Sequence, residues 1–441
     1  MKVRVCLIMF FVFVMSLPVS AQVVYQVCMG DTLTGIAEKY LPCSMIYTRA
    51  ELVDEIRRVN DLSSDDLSIG DKLLIPVRSN EPLVSERINR PDAFAAKGVY
   101  ISKWSAGGSG ISGVADRLVS LDANTIVFDA KDVTGWLSFR SPIPLAFSPG
   151  ARYEPAITDV PRLISLLHLK GIHVVARVCV FKDMLMAGEM PHWRIQNDWL
   201  NPADPEVQAY MLALIRQMVD LGVDEIQLDY FRYPADDDTS TGIAETTRSE
   251  VIAGFLGRIH DITSSRGVLL SLDVFGIVIW KSDKDILVIG QDISMLKDHL
   301  EIISPMLYPS HFSKGFAGIE NPADEPAYFV SRGITKLNAI VGDSVLMRPW
   351  LQAFPLHVSG PMSEFIRLQI SAAQDSGASG WLLWSPGNRY DAAYKAMEAR
   401  DDDMSVPLSP HSRLLSAPHS DRRNRESSIC LNHCQNACNI K

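Results

Sequence analysis

Two aspartates, Asp229 and Asp273, stand at matching places in consecutive strand-like segments, Glu225–Tyr233 and Leu269–Gly276. Side chains alternate between the two faces of a barrel strand, and this alternation points both carboxylates inward. The same inner face is expected to hold Gln227, Phe231, Ser271 and Phe275. Adjacent strands lie ~4.8 Å apart, near the ~5 Å carboxyl separation of retaining glycosidases. The pair therefore predicts glycosidic bond cleavage, with Asp229 as nucleophile and Asp273 as general acid/base.

Either aspartate alone has a structural explanation. A buried aspartate at a strand end often caps a loop, and here it could pair with Arg232. Two aspartates in matching inward positions on neighbouring strands are harder to explain in that way. The matching positions therefore favour a catalytic pair.

Charged and aromatic side chains near the ends of other strands are candidates for holding the substrate. Asp129 and Lys131 are expected to point inward from the second strand, and Arg177 from the third. These groups suit sugar hydroxyls, although a salt bridge from Arg177 to Asp129 or Asp229 explains them equally well. Flat aromatic rings at a barrel mouth suit the apolar faces of sugars. The aromatic candidates are Tyr308, Trp350 and Trp384.

Eight strand-like segments alternate with amphipathic helical patterns between residues 97 and 399. Parallel strands with helical crossovers follow from such alternation, and eight units predict an α/β fold of the (β/α)8 TIM-barrel class. A doubly wound open sheet is the alternative, but the unbroken repeat favours closure. The predicted strands are Gly98–Trp104, Thr125–Asp132, His173–Phe181, Glu225–Tyr233, Leu269–Gly276, Ile302–Pro309, Val345–Phe354 and Gly380–Ser385.

A glycine-rich turn offers a competing interpretation. Gly108, Gly110 and Gly113 match the dinucleotide-binding fingerprint after the first strand, and Asp129 follows. Short glycine motifs are weak evidence, and the same glycines suit a flexible first loop. We therefore expect no cofactor. No metal site of diagnostic spacing is present in the sequence either.

Residues 22–78 form a separate strand–helix–helix–strand pattern. Its motif begins at Tyr25 and Val27 and continues through Gly30-Asp31-Thr32-Leu33; it ends with the segment 67–76. This unit resembles a LysM module. The resemblance implies binding of N-acetylglucosamine-containing glycans such as peptidoglycan, through the loop after the first strand and the loop after the second helix. The residues it implicates are Gly30, Asp31, Thr32, Leu33 and Asn60.

The chain ends and the charge suggest where the protein works. Residues 1–21 read as a secretory signal peptide cut before Gln22. We therefore expect an exported protein of the periplasm, cell envelope or extracellular medium, with no membrane span after cleavage. A net charge of −10 without a basic stripe argues against nucleic-acid binding. Residues 79–96 read as a linker and residues 400–441 as a disordered tail.

The cysteines give one specific expectation. In an oxidising compartment Cys28 and Cys43 are the plausible disulfide partners. Cys430, Cys434 and Cys438 recur every four residues in the tail, and we have no physical account of that spacing.

Motifs throughout the barrel region resemble the DUF4015 family of glycosyl-hydrolase-like (β/α)8 proteins. The segments that carry the likeness are 98–102, 128–132, 199–202, 222–234, 273–276 and 304–312. The resemblance implies a glycosidase fold distantly related to α-amylase-like barrels. Two positions depart from the α-amylase pattern: Gln227 replaces an arginine, and Asp273 replaces a glutamate.

These observations predict an exported glycoside hydrolase with a retaining mechanism. Its substrate would be an envelope glycan or exopolysaccharide, and the LysM module would tether it to peptidoglycan. The alternative, supported by the two departures, is a non-catalytic envelope protein in which both units bind glycans.

Overall fold

The computed structural model describes residues 23–85, 87, 94–143, 155–235, 245–280 and 283–399, with the backbone alone described for 245, 246 and 283–285. The expected signal peptide and the tail with its three cysteines lie outside these residues. The chain divides into two compact units, residues 1–84 and 85–441. Within the described residues, no helix combines the length and the apolar character that crossing a membrane requires.

The first unit has the predicted strand–helix–helix–strand order. Its elements are β1 (Val23–Gln26), α1 (Leu33–Tyr40), α2 (Arg49–Val59) and β2 (Lys72–Ile75). The two strands pair antiparallel, with Val23 opposite Ile75. Thr32 caps α1 through the N–H of Gly35, and Thr48 forms a reciprocal capping box with Glu51 on α2. The helices therefore begin where the sequence supplies side-chain acceptors.

The expected disulfide in this unit is wrong. Cys28 and Cys43 are both free thiols. Cys43 packs into the hydrophobic core with Leu52 and Ile56, whereas Cys28 lies exposed in the turn after β1. Their side chains thus face different environments.

The second unit begins each strand and helix close to the predicted positions. Its strands are β3 (Ala96–Ile101), β4 (Thr125–Lys131), β5 (His173–Cys179), β6 (Arg194–Gln196), β7 (Trp199–Leu200), β8 (Glu225–Asp229), β9 (Leu269–Phe275), β10 (Ile302–Met306), β11 (Leu346–Met347), β12 (Trp350–Gln352) and β13 (Gly380–Trp384). Its helices are α3 (Lys103–Gly107), α4 (Ile111–Ser120), α5 (Val160–Leu169), α6 (Met184–Glu189), α7 (Pro205–Asp220), α8 (Glu245–Ser264), α9 (Gly276–Ile279), α10 (Asp283–Ile289), α11 (Ile293–Leu296), α12 (Pro326–Val341), α13 (Met362–Asp375) and α14 (Asp391–Glu398).

The parallel strands close into a barrel, as predicted. The order is β3-β4-β5-β8-β9-β10-β12-β13, and β13 returns to β3 with Leu382 opposite Gly98. An open doubly wound sheet is therefore excluded. The short strands β6 and β7 form a separate antiparallel hairpin. Gly98 is required at the seam of β3 and β4, because a Cβ there would lie 2.0 Å from the carbonyl oxygen of Thr125.

The seventh strand position is broken, whereas the sequence suggested one strand over 345–354. It consists of β11 and β12, which both pair with β10. Pro349 stands at the break, and proline has no N–H to donate to a neighbouring strand. The break separates Arg348 from Trp350.

A buried polar layer fills the barrel near the N-terminal ends of its strands. Glu225 accepts hydrogen bonds from Arg348 Nη1 and His173 Nε2, each at 2.9 Å, and from the hydroxyl of Ser271. Burial acts to raise the pKa of Glu225, but the charge of Arg348 and these hydrogen bonds hold it well below its ordinary value. This layer is the base on which the upper part of the barrel rests.

Two inward-facing predictions are wrong, each because the backbone departs from strict alternation. A register shift between Asp129 and Lys131 sets Lys131 opposite Val178 rather than continuing the inner face. Tyr230 adopts φ +50° directly after β8, and the next residue, Phe231, stacks against Phe255 of α8 instead of facing the lumen.

Candidate active site

A chain of hydrogen bonds crosses three strands at the C-terminal mouth of the barrel. Asp229 ends β8, and its Oδ2 accepts from Arg177 Nη2 at 2.5 Å and from Arg177 Nε at 3.1 Å. The other arm of the guanidinium, Nη1, reaches Oδ1 of Asp129 on β4. Asp129 also accepts from the hydroxyl of Tyr100 on β3 at 2.5 Å. Arg177 therefore bridges two carboxylates, and both salt bridges considered from the sequence are present.

The charges in this chain depend on one another. Burial raises the pKa of Asp129, while Arg177 and the Tyr100 hydrogen bond act to lower it. Burial acts to lower the pKa of Arg177, but the negative charges around it, including those of Asp129 and Asp229, hold that pKa well above its ordinary value. The guanidinium is thus a permanent cation inside the barrel.

Asp273 occupies a different environment on the neighbouring strand. Leu228 lies opposite Leu272 in the register of β8 and β9, so Asp229 and Asp273 come next along adjacent strands. Asp273 is only 2% exposed, and its Oδ1 accepts from Trp350 Nε1 at 2.8 Å. Burial and the charge of Asp229 raise the pKa of Asp273 well above its ordinary value. One carboxylate is therefore ion-paired and its neighbour favours the protonated form, which is the asymmetry that acid catalysis needs.

The aromatic candidates divide by exposure. Trp384 is half-buried, and its ring lies 4.0 Å from that of Tyr100 and 5.0 Å from the Arg177 guanidinium. Trp350 and Tyr308 are buried and belong to one interior cluster. Of the three, Trp384 thus has the most surface to offer a sugar.

The backbone after Asp229 is strained. Non-glycine residues rarely adopt positive φ, yet Tyr230 has φ +50° and donates its N–H to Oδ1 of Asp229 at 2.6 Å. Strain of this kind concentrates at functional sites. Here it fixes the orientation of the carboxylate that ends β8.

Arg232 does not pair with Asp229. Its guanidinium is buried and lies 4.5 Å from the ring centre of Trp199 and 4.4 Å from that of Phe275. The printed partners of Asp229 are Arg177 and the N–H of Tyr230. Stacking between aromatic faces explains how this arginine is accommodated.

Most predicted residues of the barrel site come together. Asp129, Arg177, Asp229, Asp273, Trp350 and Trp384 line one level of the barrel mouth. Lys131 does not join them, since its ammonium is fully buried, 2.8 Å from Asp183 Oδ2 and 2.6 Å from the carbonyl oxygen of Cys179. Tyr100 was missed. Its inward position could have been inferred from the alternation with Gly98, two residues earlier.

Gln291 is a second residue that sequence reasoning missed. It is 1% exposed, and its amide Nε2 donates to the carbonyl oxygens of Asp273, at 3.2 Å, and Phe231, at 3.4 Å. It therefore links the ends of β8 and β9 behind the two carboxylates. No periodicity or motif in the sequence marks it.

The candidate residues of the first unit have mixed surroundings. Asp31 accepts from the N–H of Cys28 at 2.7 Å and from the hydroxyl of Tyr25 at 2.8 Å, and Gly30 has φ +88°. Leu33 is buried in the core. Asn60 spends its side-chain amide on the backbone of Leu74, which ties α2 to β2.

Asp31, Gly30 and the α1 cap Thr32 therefore shape the exposed turn after β1. Leu33 and Asn60 have packing and hydrogen-bonding roles inside the unit.

No metal centre is evident in the part of the chain that the structure describes. No group of three or more His, Cys, Asp or Glu side chains there is arranged to hold an ion. The site therefore has to be understood through its own carboxylates and arginine.

Two family models match the chain. Residues 98–390 match DUF4015, described as "Putative glycosyl hydrolase domain". Residues 25–76 match the LysM domain. No curated protein matches the chain.

Solved structures share the barrel fold. The glycoside hydrolase domain of PgaB (BpsB) from Bordetella bronchiseptica is 13% identical with a TM-score of 0.53, covering 68% of this chain and 98% of its own. A hypothetical protein from Ruminiclostridium thermocellum is 26% identical with a TM-score of 0.35, covering 40% and 97%. The spore cortex-lytic enzyme SleL of Bacillus cereus is 12% identical with a TM-score of 0.42, covering 85% and 86%.

Proposed function

Because the chain belongs to the DUF4015 family of glycosyl hydrolase domains, we propose that its barrel cleaves a glycosidic bond in a polysaccharide with retention of configuration. The observation that carries this proposal is the pairing of unlike carboxyl groups, Asp229 and Asp273, on adjacent strands at the barrel mouth. Reactive groups of such barrels lie at this end. The spacing of adjacent strands, ~4.8 Å, favours direct attack by a carboxylate over the wider, water-mediated geometry.

In the first step a carboxylate oxygen of Asp229 forms a bond to the anomeric carbon. The bond from that carbon to the leaving oxygen breaks, its electron pair stays on the oxygen, and Asp273 supplies the proton. The raised pKa of Asp273 supports this role, because a general acid must hold its proton near the working pH.

In the second step water attacks the anomeric carbon and displaces Asp229. The ionised Asp273 accepts the proton of that water, which restores both groups to their starting forms. A single carboxyl thus serves first as acid and then as base.

Arg177 acts in this proposal by positioning the nucleophile. It contacts Asp229 through two N–H groups and is itself held by Asp129, which Tyr100 holds in turn. Two donors on one carboxylate oxygen fix its plane. Asp129 and Arg177 then serve the sugar indirectly, while Trp384 offers the half-buried ring that a sugar could stack on.

The LysM unit supplies the tether. LysM modules bind glycans, and we propose that residues 25–76 hold the protein on peptidoglycan or another N-acetylglucosamine polymer in the envelope. Tethering raises the local concentration of substrate without any contact between substrate and tether. Export through the segment 1–21 belongs to the same proposal.

The test is release of reducing ends from purified polysaccharides, with Asp229→Asn as the inactive variant. The panel comprises peptidoglycan, chitin, α-glucans and amino-sugar exopolysaccharides. Asp122→Asn is the matched control, because its carboxylate is 89% exposed and pairs with Lys97 away from the mouth. We expect release by the wild type and the control and none by Asp229→Asn.

Two other outcomes have clear meanings. Turnover that survives in Asp229→Asn would remove Asp229 as nucleophile. Silence of the wild type across the panel, with glycan binding retained, would instead support a non-catalytic glycan-binding protein.

A further inference from the structure

Trp104 is the exception among the tryptophans. All eight lie within the described residues, and Trp104 alone is in the exposed class, with 65% of its surface accessible. The others are buried or half-buried. Keeping an indole in water forgoes the stabilisation that burial of a large aromatic side chain provides, so this position needs an explanation.

The residues around Trp104 are firmly held. Ser102 directly before α3 donates its N–H to Asn388 Oδ1 at 2.9 Å, and Asn388 lies in the loop after β13. Lys103 is buried, and its ammonium lies 2.9 Å from Oδ2 of Asp132 at the exit of β4. The first turn of α3 is therefore fastened on both sides, to the loops of the two strands that flank β3.

The far end of α3 is equally constrained. Gly107 packs so closely on the backbone that a Cβ there would lie 1.8 Å from the carbonyl oxygen of Ala156. Ala106 is fully buried. The exposed indole thus projects from a fixed helix, and a rigid aromatic loses little conformational entropy when it binds a ligand.

The position of α3 relates this indole to the proposed chemistry. β3 carries Tyr100 in the hydrogen-bond chain at the mouth, and only three residues separate it from Trp104. A chain of four peptide units spans at most about 14 Å. Trp104 therefore lies within reach of an oligosaccharide whose reacting sugar sits between Asp229 and Asp273.

We propose that Trp104 is an outer sugar-binding platform, which stacks on a ring of the polysaccharide chain beyond the sugars at the catalytic pair. The ligand is a neutral or amino-sugar chain that presents an apolar ring face to the indole. This inference rests on the proposed function, and it adds that the barrel prefers long chains to the shortest cleavable oligosaccharide.

Tryptophan fluorescence provides a direct test in the full chain. The LysM unit contains no tryptophan, since all eight lie beyond residue 97. Emission therefore reports on the barrel alone, even when a glycan also binds the LysM unit. In the Asp229→Asn background, the acrylamide-accessible part of the emission should come mainly from Trp104.

Each glycan of the panel is added in turn to this variant. We expect at least one glycan to protect the accessible emission from acrylamide. We also expect the double variant Asp229→Asn with Trp104→Phe to lack both the accessible component and its protection. Accessible emission that no glycan protects would overturn the platform.

Steady-state kinetics supply the second measurement. Trp104→Ala should raise KM for the polysaccharide about tenfold, equivalent to ~1.4 kcal/mol, while KM for the shortest cleaved oligosaccharide stays within about twofold. Trp104→Phe should restore most of the affinity. The control is Leu169→Ala, an exposed apolar residue at the C-terminal end of α5 and so at the opposite end of the barrel.

The two proposals fail in different ways. An equal KM for polymer in wild type and Trp104→Ala, with turnover intact, would refute the platform and leave the glycosidase standing. Protection of Trp104 by a glycan that the wild type never cleaves would support the platform and contradict the glycosidase.

Discussion

Trp350 donates its indole N–H to Oδ1 of Asp273 over 2.8 Å, and both side chains are almost completely buried. This hydrogen bond stabilises the ionised form of Asp273, so it opposes the effects of burial and of the Asp229 charge. Trp350 therefore limits how far the pKa of the proposed acid rises. That makes it an adjustable element of the proton transfer.

Replacing Trp350 by phenylalanine should shift the pH dependence of turnover. Loss of the donor raises the pKa of Asp273 further, so the alkaline limb of the kcat/KM profile should move to higher pH. The measurement is the pH–rate profile on the substrate identified in the panel. Trp381→Phe is the control, because this indole is also buried but has no hydrogen-bond partner among the described residues. Identical profiles for wild type and Trp350→Phe would contradict Asp273 as the acid.

Asp273→Asn should abolish turnover and change how stability depends on pH. In the unfolded chain this aspartate titrates near its ordinary pKa of ~3.9, whereas in the folded protein its pKa is raised. Between the two values the folded state binds more protons, so the free energy of unfolding falls as pH rises. Asparagine cannot ionise, and the variant should lack that fall.

Urea unfolding at a series of pH values from about 4 upward tests this expectation. The variant should gain stability relative to the wild type as pH rises toward neutrality. Asp122→Asn serves as the control, since its carboxylate is exposed. Parallel curves for Asp273→Asn and wild type would show that the pKa of Asp273 is not raised.

Arg177→Lys should reduce kcat while preserving the fold. A lysine keeps the charge, but its single ammonium cannot contact Asp229 twice and Asp129 at the same time. Because small displacements of a reacting group are costly, we expect a loss of about 100-fold in kcat. Arg117→Lys, at the exposed pair with Glu398, is the matched substitution. A kcat within about twofold of wild type would refute the positioning role.

Lys131→Met should destabilise the protein without raising KM. Lys131 and Asp183 are both fully buried, and removal of one partner of such a pair costs about 3–5 kcal/mol. Lys97→Met should cost at most about 1 kcal/mol, because its partner Asp122 is exposed. Chemical denaturation and KM are measured on both variants. A raised KM with unchanged stability would return Lys131 to the substrate site.

The sequence was sufficient for the barrel because its evidence is local and repeated. Each strand is a short apolar run, each helix has its own amphipathic period, and eight such units suggest closure. Asp229 and Asp273 could be paired for the same reason, since both follow from alternation within a single strand. Their different environments depend on Arg177 and Trp350, which come from other strands.

The errors have local backbone causes. Alternation counts residues and fails wherever one extra residue or one reversed φ intervenes, as it does before Lys131 and at Tyr230. Neither feature has a strong sequence signature, because the residues involved are not glycines. The Tyr100–Asp129–Arg177 chain was hidden for another reason: its members are brought together by neighbouring strands that are 29 to 48 residues apart in sequence.

Closure of the barrel has a consequence for the order of assembly. Tyr390 donates its hydroxyl to the carbonyl oxygen of Tyr100, a contact between residues 290 positions apart, and Asn388 donates its side-chain amide to the same oxygen. Contacts of such long sequence separation form slowly, because the intervening chain must first be ordered. The mouth is therefore completed only after the last strand is in place, and a nascent chain that ends before β13 lacks the Trp384 wall of its own site. Catalytic competence should consequently arrive late in folding, as an all-or-none event at the seam between the first and last strands.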